Sequence, residues 1–205
     1  MSKPGTNSGR RAELLGIAAG LFAERGFVST TVRDIADAAG ILSGSLYHHF
    51  DSKEQIADEI LTGFLDELFG TYAEIVESKL GPRKTLEAVV SASFDSIHRR
   101  PAEVEIYQNE AKHLAKFPRF AYLGTRNAEF RKLWHDLLAE GITTGEFRAD
   151  LDIELVYRFV RDTVWVAVRW YNPEGTLSAA DVAAQYLGIL LDGIATKRRR
   201  VKKET

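Results

Sequence analysis

The chain contains no cysteine at all. Disulfides and thiolate-held metals are therefore excluded, and the composition fits a reducing compartment. Proline is scarce, at five in 205 residues, which leaves long stretches free to remain helical. No uncharged apolar run approaches the roughly 18 residues that span a bilayer, and the first nine residues lack the apolar centre of a signal peptide. The expectation is a cytoplasmic protein with no membrane partner. No segment alternates apolar and polar residues over the length of a strand, and no fixed-period repeat is present. An excess of one charge is missing too: 27 Lys and Arg stand against 29 Asp and Glu, a formal charge of −2. The hydrophobic share of 45% is ordinary for a globular protein, so disorder is excluded for the chain as a whole.

What is present is helical periodicity almost throughout. After a Ser-, Gly- and Asn-rich arm over residues 1–9, Leu14, Ile17, Ala18, Leu21 and Phe22 form an i, i+3, i+4 stripe that Gly26 closes. A long helix is expected over 53–80, with Ile56, Ile60, Phe64, Leu68 and Tyr72 along one side, ended by Gly81-Pro82. Further helices follow at 82–99, 101–114, 119–143, 152–171 and 178–199, and the stretch 197–203 is basic at six of seven positions. The expected fold class is all-α, with a small head over 9–69 joined through the long helix to a second domain over 70–199.

Residues 30–50, TTVRDIADAAGILSGSLYHHF, organise the head. Thr30 and Thr31 can cap a short helix carrying Val32, Ile35, Ala36 and Ala39. Gly40 can take the left-handed conformation that ends it. A second short helix over 43–50 turns Leu46 and Phe50 inward and offers Ser43, Ser45, Tyr47, His48 and His49 outward. Two helices joined by a glycine turn make a helix-turn-helix, whose second helix fits the major groove. The pattern alone is weak, since any helical hairpin with a solvated face shares it. The full string is more specific: Thr31 to Ala36, Ala39 to Ile41, Gly44, Leu46, Tyr47, His49, Phe50 and Ser52 to Glu54 resemble the DNA-binding domain of the TetR family of bacterial repressors. One departure is Leu42, where that family carries Ser or Thr, so Ser43 is expected to cap the second helix one residue late. The resemblance implies double-stranded operator DNA as partner, with Arg10, Thr30, Thr31, Arg33, Ser43, Ser45, Tyr47, His48 and Lys53 as its contacts. Through residue 50 the head has five Lys or Arg against four acids, so a few placed cations, Arg11 among them, and a doubled head must supply the affinity.

In the second domain, large aromatics face inward by period: Phe64, Phe69, Tyr72, Phe94, Tyr107, Phe130, Trp134, Phe159 and Trp165. Such rings make either a plain core or the lining of an apolar pocket. On the helix near 155–171, Arg158, Arg161, Trp165 and Arg169 share one stripe beside Val160, Val164 and Val168. Arginine in such company needs an anion, supplied either by a neighbour such as Glu154, Asp162 or Asp181, or by a phosphate or carboxylate of a ligand. The expected ligand contacts are Phe64, Tyr72, Tyr107, Phe130, Trp134, Arg158, Arg161, Trp165 and Arg169. Taken whole, the chain resembles the actinobacterial TetR-type repressors of steroid ring catabolism, which implies a small-molecule effector in the form of an acyl-coenzyme A thioester. The resemblance also implies a homodimer through the last two helices, with Val164, Val168, Val182, Tyr186, Ile189, Leu190 and Ile194 as candidates. Neither a resident cofactor nor a metal is expected. An enzyme is the rival class, but Glu110-x-x-His113 is only half of a di-iron bundle motif, and no phosphate loop, nucleophile elbow or zinc-helix pattern occurs. A ligand-free architectural DNA binder is the other rival.

Overall fold

The computed structural model describes residues 5–192, and every regular element in that range is helical. Helix α1, Gly5–Arg25, ends at Gly26, whose φ of +83° is open to glycine but strained for other residues. Helix α2, Val32–Ala38, begins with a reciprocal cap. Thr31 Oγ1 accepts the Asp34 amide at 3.1 Å, and the Asp34 carboxylate accepts the Thr31 amide at 2.7 Å. Gly40, with φ +65°, makes the expected turn. Helix α3, Ser43–Leu46, is a single turn rather than the eight residues expected, and 47–49 continue it as turns. Its cap position is Leu42, which offers no side-chain acceptor, and Ser43 lies inside the helix instead of capping it. An uncapped segment this short has little helical stability of its own and is held by buried Leu46 and Phe50.

Ser52 caps helix α4, Lys53–Glu77, by accepting the Gln55 amide at 3.1 Å. Its 25 residues extend about 37 Å. Pro82 and Pro101 occupy first-turn positions of α5, Pro82–Arg99, and α6, Pro101–Leu114, where a missing amide costs nothing. Then come α7, Tyr122–Thr143, α8, Ile153–Trp165, and α9, Ala179–Asp192. After Trp165 the chain tightens into a 3-10 turn, Val166–Arg169, so the helix expected to run straight to 171 breaks at 166. One continuous apolar core runs from Leu14 in α1 to Ala183 in α9. The head therefore does not swing free of the body: α1 packs against both α4 and α6. Among the described residues, no helix is long and apolar enough to cross a membrane. Ile194 and the basic stretch 197–203 lie outside the described residues.

Candidate functional site

The turn of α3 stands out from the head with its polar groups in solvent. Tyr47 is 55% exposed and Leu42 80% exposed, His48 is exposed, and Ser43 and Ser45 are half-covered. Arg33 is open on the neighbouring helix, opposite Asp37 at 3.6 Å. Thr31 is exposed, with its hydroxyl engaged in the cap.

Two expected contacts are contradicted. Thr30 is fully buried, its hydroxyl donating to the Gly26 carbonyl at 2.8 Å, because the first of two adjacent threonines closes the α1–α2 loop while the second caps α2. Lys53 is turned inward. Its ammonium donates to the carbonyls of Phe27 at 2.7 Å and Thr30 at 2.8 Å and sits 4.3 Å from the Phe27 ring centroid. Burial pulls its pKa below the usual lysine range. Arg10 is divided, held by Glu13 at 2.7 Å and by the Ala39 carbonyl at 3.0 Å, where it covers the end of α2.

Arg11, expected among the cations that position the DNA backbone, and Glu110 carry structural roles that sequence reasoning did not assign. Arg11 binds Glu59 on α4 through Nε at 3.1 Å, bonds the His49 carbonyl and lies 4.2 Å from the Phe50 ring centroid, so it fixes the segment just after α3. Glu110 on α6 meets the Phe27 amide at 3.4 Å, and a Cβ on Gly26 would stand 3.0 Å from its carboxylate. Glu110 is thus occupied by the head rather than by a metal site. The Gly26–Thr30 loop is gripped on both sides, by Lys53 and by Glu110.

The body holds a cavity of about 580 Å³ walled by α4, α6, α7 and α8. Leu65, Leu68 and Phe69 form one wall; Tyr107, Asn127, Phe130, Arg161 and Trp165 face it. The Tyr107 hydroxyl donates to Asn127 Oδ1 at 2.8 Å. Burial pushes the Tyr107 phenol up to about 12, so it stays a neutral donor. Phe130 packs on Trp165, Trp134 and Tyr72, with ring centroids 6.3, 6.3 and 5.9 Å away.

Of the nine expected ligand contacts, Tyr107, Phe130, Arg161 and Trp165 line this cavity. Phe64, Tyr72 and Trp134 are buried and absent from its lining; the Tyr72 hydroxyl is 2.6 Å from Ser93 Oγ. Arg158 lies on the surface, paired with Glu154 at 2.8 Å. Arg169 leaves the arginine stripe because of the 3-10 turn, and reaches Asn109 at 3.4 Å. Arg161 has a carboxylate beside it, Asp162 at 2.6 Å. The local partners expected as the plainer account of the arginines are real for Arg158 and Arg161. Phe159, expected inward, is 60% exposed.

A larger groove of about 880 Å³ lies on the other side of Phe69, against Val76, Leu133 and Leu137. Its charged rim is already cross-paired, Arg126 with Asp66 and Glu129, and Lys132 with Asp136. The smaller cavity, with polar groups converging on an apolar floor, is the better candidate for a ligand site.

Residues 14–60 match the family model of bacterial regulatory proteins of the tetR family, and residues 79–194 match the tetracyclin repressor-like C-terminal domain. The chain belongs to the TetR family. This TetR protein is 62% identical to the HTH-type transcriptional repressor KstR2 of Rhodococcus jostii, over 92% of this chain and 93% of the relative. The structure of the ketosteroid transcriptional regulator KstR2 of Mycobacterium tuberculosis is 57% identical and superposes with a TM-score of 0.88, covering 92% of this chain and 96% of that one. More distantly, at 21% identity and a TM-score of 0.75, covering 89% of this chain and 98% of that one, stands AibR, solved in complex with isovaleryl coenzyme A and operator DNA. The all-α TetR fold, a DNA-binding repressor function and the kinship with the KstR2 repressors are established by these matches, and TetR repressors are not enzymes.

Proposed function

We propose that this repressor acts in the cytoplasm as a homodimer on a palindromic operator and is released by an acyl-coenzyme A thioester of a steroid ring-degradation intermediate. The observation that carries the reading is the cavity itself. Its floor is apolar, Arg161 and Trp165 border one side, and two of its walls, α4 and α6, also pack against α1 of the head. A thioester fits that lining, its acyl end on Leu65, Leu68 and Phe130, its nucleotide end toward Arg161 for bidentate phosphate contact and Trp165 for stacking. The kinship with KstR2 supports the steroid origin, and AibR illustrates that the fold has room for an acyl-coenzyme A.

The dimer surface is drawn from side chains left open in one subunit. Val164 and Val182 are buried within it and drop out, whereas Ile189 is exposed. Leu155, Phe159 and Val166 follow at steps of four and seven along the outer side of the α8 segment, all exposed, as Ile189 is on α9. Each head then enters the major groove through Ser43, Ser45, Tyr47 and His48, with Thr31 and Arg33 near the phosphates. Leu42 adds an apolar contact suited to a thymine methyl. The head domain over 9–69 and the body over 70–199 meet inside α4, so a ligand that displaces α4 and α6 re-aims the heads. It releases DNA only to the extent that it binds the DNA-incompetent spacing more tightly.

The test pairs two variants. Tyr47→Ala weakens operator binding about tenfold or more, the worth of one good base contact, and leaves ligand affinity unchanged. Arg161→Met keeps operator binding and weakens release by acyl-coenzyme A about tenfold, as the loss of one charged hydrogen-bond partner predicts. Wild-type release by ligand in Arg161→Met would overturn the placement of the anion.

A further inference from the structure

The seam between α7 and α8 carries basic side chains that the cavity does not use. Glu154 Oε2 accepts from Arg131 Nε at 3.0 Å and Nη2 at 2.8 Å, and stands 2.8 Å from His135 Nε2. Its other oxygen accepts from Arg158 Nε at 2.8 Å. Two guanidiniums and an imidazole converge on one carboxylate, which Arg158 first and Arg131 next hold down at about 2. Even with the imidazole neutral, two positive charges face one negative. The arginines keep donors to spare: a guanidinium has five N–H groups, and only Nε of Arg158 donates to Glu154.

Along α8, Glu154, Arg158, Arg161 and Trp165 follow at steps of four, three and four, a single stripe set to one side of the Leu155–Phe159–Val166 patch. The stripe connects the cluster to the cavity wall, and Glu154 to Arg161 spans about 10 Å of helix. Magnitude then decides. Arg161 with Asp162 beside it sums to zero charge, and Lys112, the other cation in the lining, leaves the cavity at a single positive charge, short of what a ligand carrying a diphosphate and a separate ribose phosphate needs. The remaining positive charge must come from elsewhere, and the seam is where the cavity's arginine stripe leads.

We propose that the α7–α8 seam is a polyphosphate cradle in which the effector's phosphates run from Arg161 to Arg158, Arg131 and His135, displacing the carboxylates of Glu154 and Asp162. In the unliganded protein those two acids hold the positions the phosphates take. This proposal rests on the acyl-coenzyme A reading. It names Arg131 and His135 as ligand-binding residues and Glu154 as a built-in competitor.

The experiment is isothermal titration of the full-length wild-type protein and its variants with free coenzyme A, and with dephospho-coenzyme A, which lacks the ribose phosphate. Arg131→Met and Arg158→Met each weaken coenzyme A binding about tenfold, the worth of one charged hydrogen-bond partner. Glu154→Gln strengthens it several-fold, because a competing anion is gone. For dephospho-coenzyme A the Arg131→Met effect shrinks to under twofold. Operator affinity without ligand stays within twofold in all variants, which certifies folding. A cluster serving only to join α7 to α8 gives the opposite pattern, with Glu154→Gln lowering the thermal midpoint and neither it nor the arginine variants changing affinity, and that result overturns the proposal. If wild type binds coenzyme A and Arg161→Met weakens it while the seam variants do not, the cradle alone is wrong. If wild type binds no coenzyme A, both readings fall together.

Discussion

Lys53 offers the sharpest separation between a structural cation and a DNA contact. Replacing it by Met keeps the stem that packs along the Phe27 ring and removes the ammonium, which donates at 2.7 and 2.8 Å to the carbonyls of Phe27 and Thr30. A hydrogen bond to a charged group contributes roughly 1.5–3 kcal/mol when water is excluded. Lys53 is only part-covered, so water can replace some of each bond, and the two together are worth about 2–3 kcal/mol after that discount. With a urea slope of roughly 2–3 kcal/mol/M for a chain of this size, Lys53→Met lowers the unfolding midpoint by roughly 1 M. The assay is far-UV circular dichroism at fixed protein concentration, since a dimer's midpoint depends on it. Operator affinity is measured in parallel across a salt series. Were Lys53 to neutralise a phosphate in each of two heads, its removal would flatten the slope of log affinity against log salt by about 1.8. The inward ammonium predicts an unchanged slope. Lys53→Met with wild-type stability and a flattened slope would refute the structural assignment.

Two further outcomes follow from packing. A Cβ on Gly141 would lie 2.0 Å from the Phe147 ring, whose backbone amide also donates to the Gly141 carbonyl, so Gly141→Ala costs about 1–3 kcal/mol of stability despite alanine's better helix propensity, as thermal or urea melts would register. Phe159→Glu puts a charge in the middle of the exposed apolar patch on α8. Sedimentation should find a monomer that remains helical and loses operator affinity, and a stable dimer would move the interface elsewhere.

The head was the more legible half because its signals are local. The Thr31 cap and the Gly40 turn each lie within a few residues of the element they define, and both stand where the pattern put them; the Asp34 half of the box and the Ser52 hydrogen bond are as local and emerge with the structure. The same locality explains the two errors. Adjacent threonines look alike to a pattern, yet one is the cap and the other is buried under Leu21 and Gly26. A lysine one residue after a helix cap resembles a phosphate ligand until its carbonyl partners, 23 and 26 residues earlier in the chain, are brought to it by folding.

In the body, periodicity put Arg158, Arg161, Trp165 and Arg169 in one stripe of a helix and placed Phe159 inward with the other large rings. It could not say what each side would meet, because that depends on which other helix crosses it. Trp165 and Phe130 meet across the α7–α8 contact and close one side of a cavity. Phe159, equally bulky and equally regular, turns to open solvent. Arg169 is lost from the stripe for a different reason: four residues tighten from 3.6 to 3 per turn, and the accumulated rotation carries its side chain off the line toward Asn109. Glu110 shows the same limit at its widest. Nothing near residue 110 marks it as a contact between α6 and the head, since its partner is an amide 83 residues away beside a glycine that only the folded loop makes necessary. A contact of this kind joins a side chain to a backbone amide, and a sequence does not spell out which of its backbone groups a distant side chain will meet.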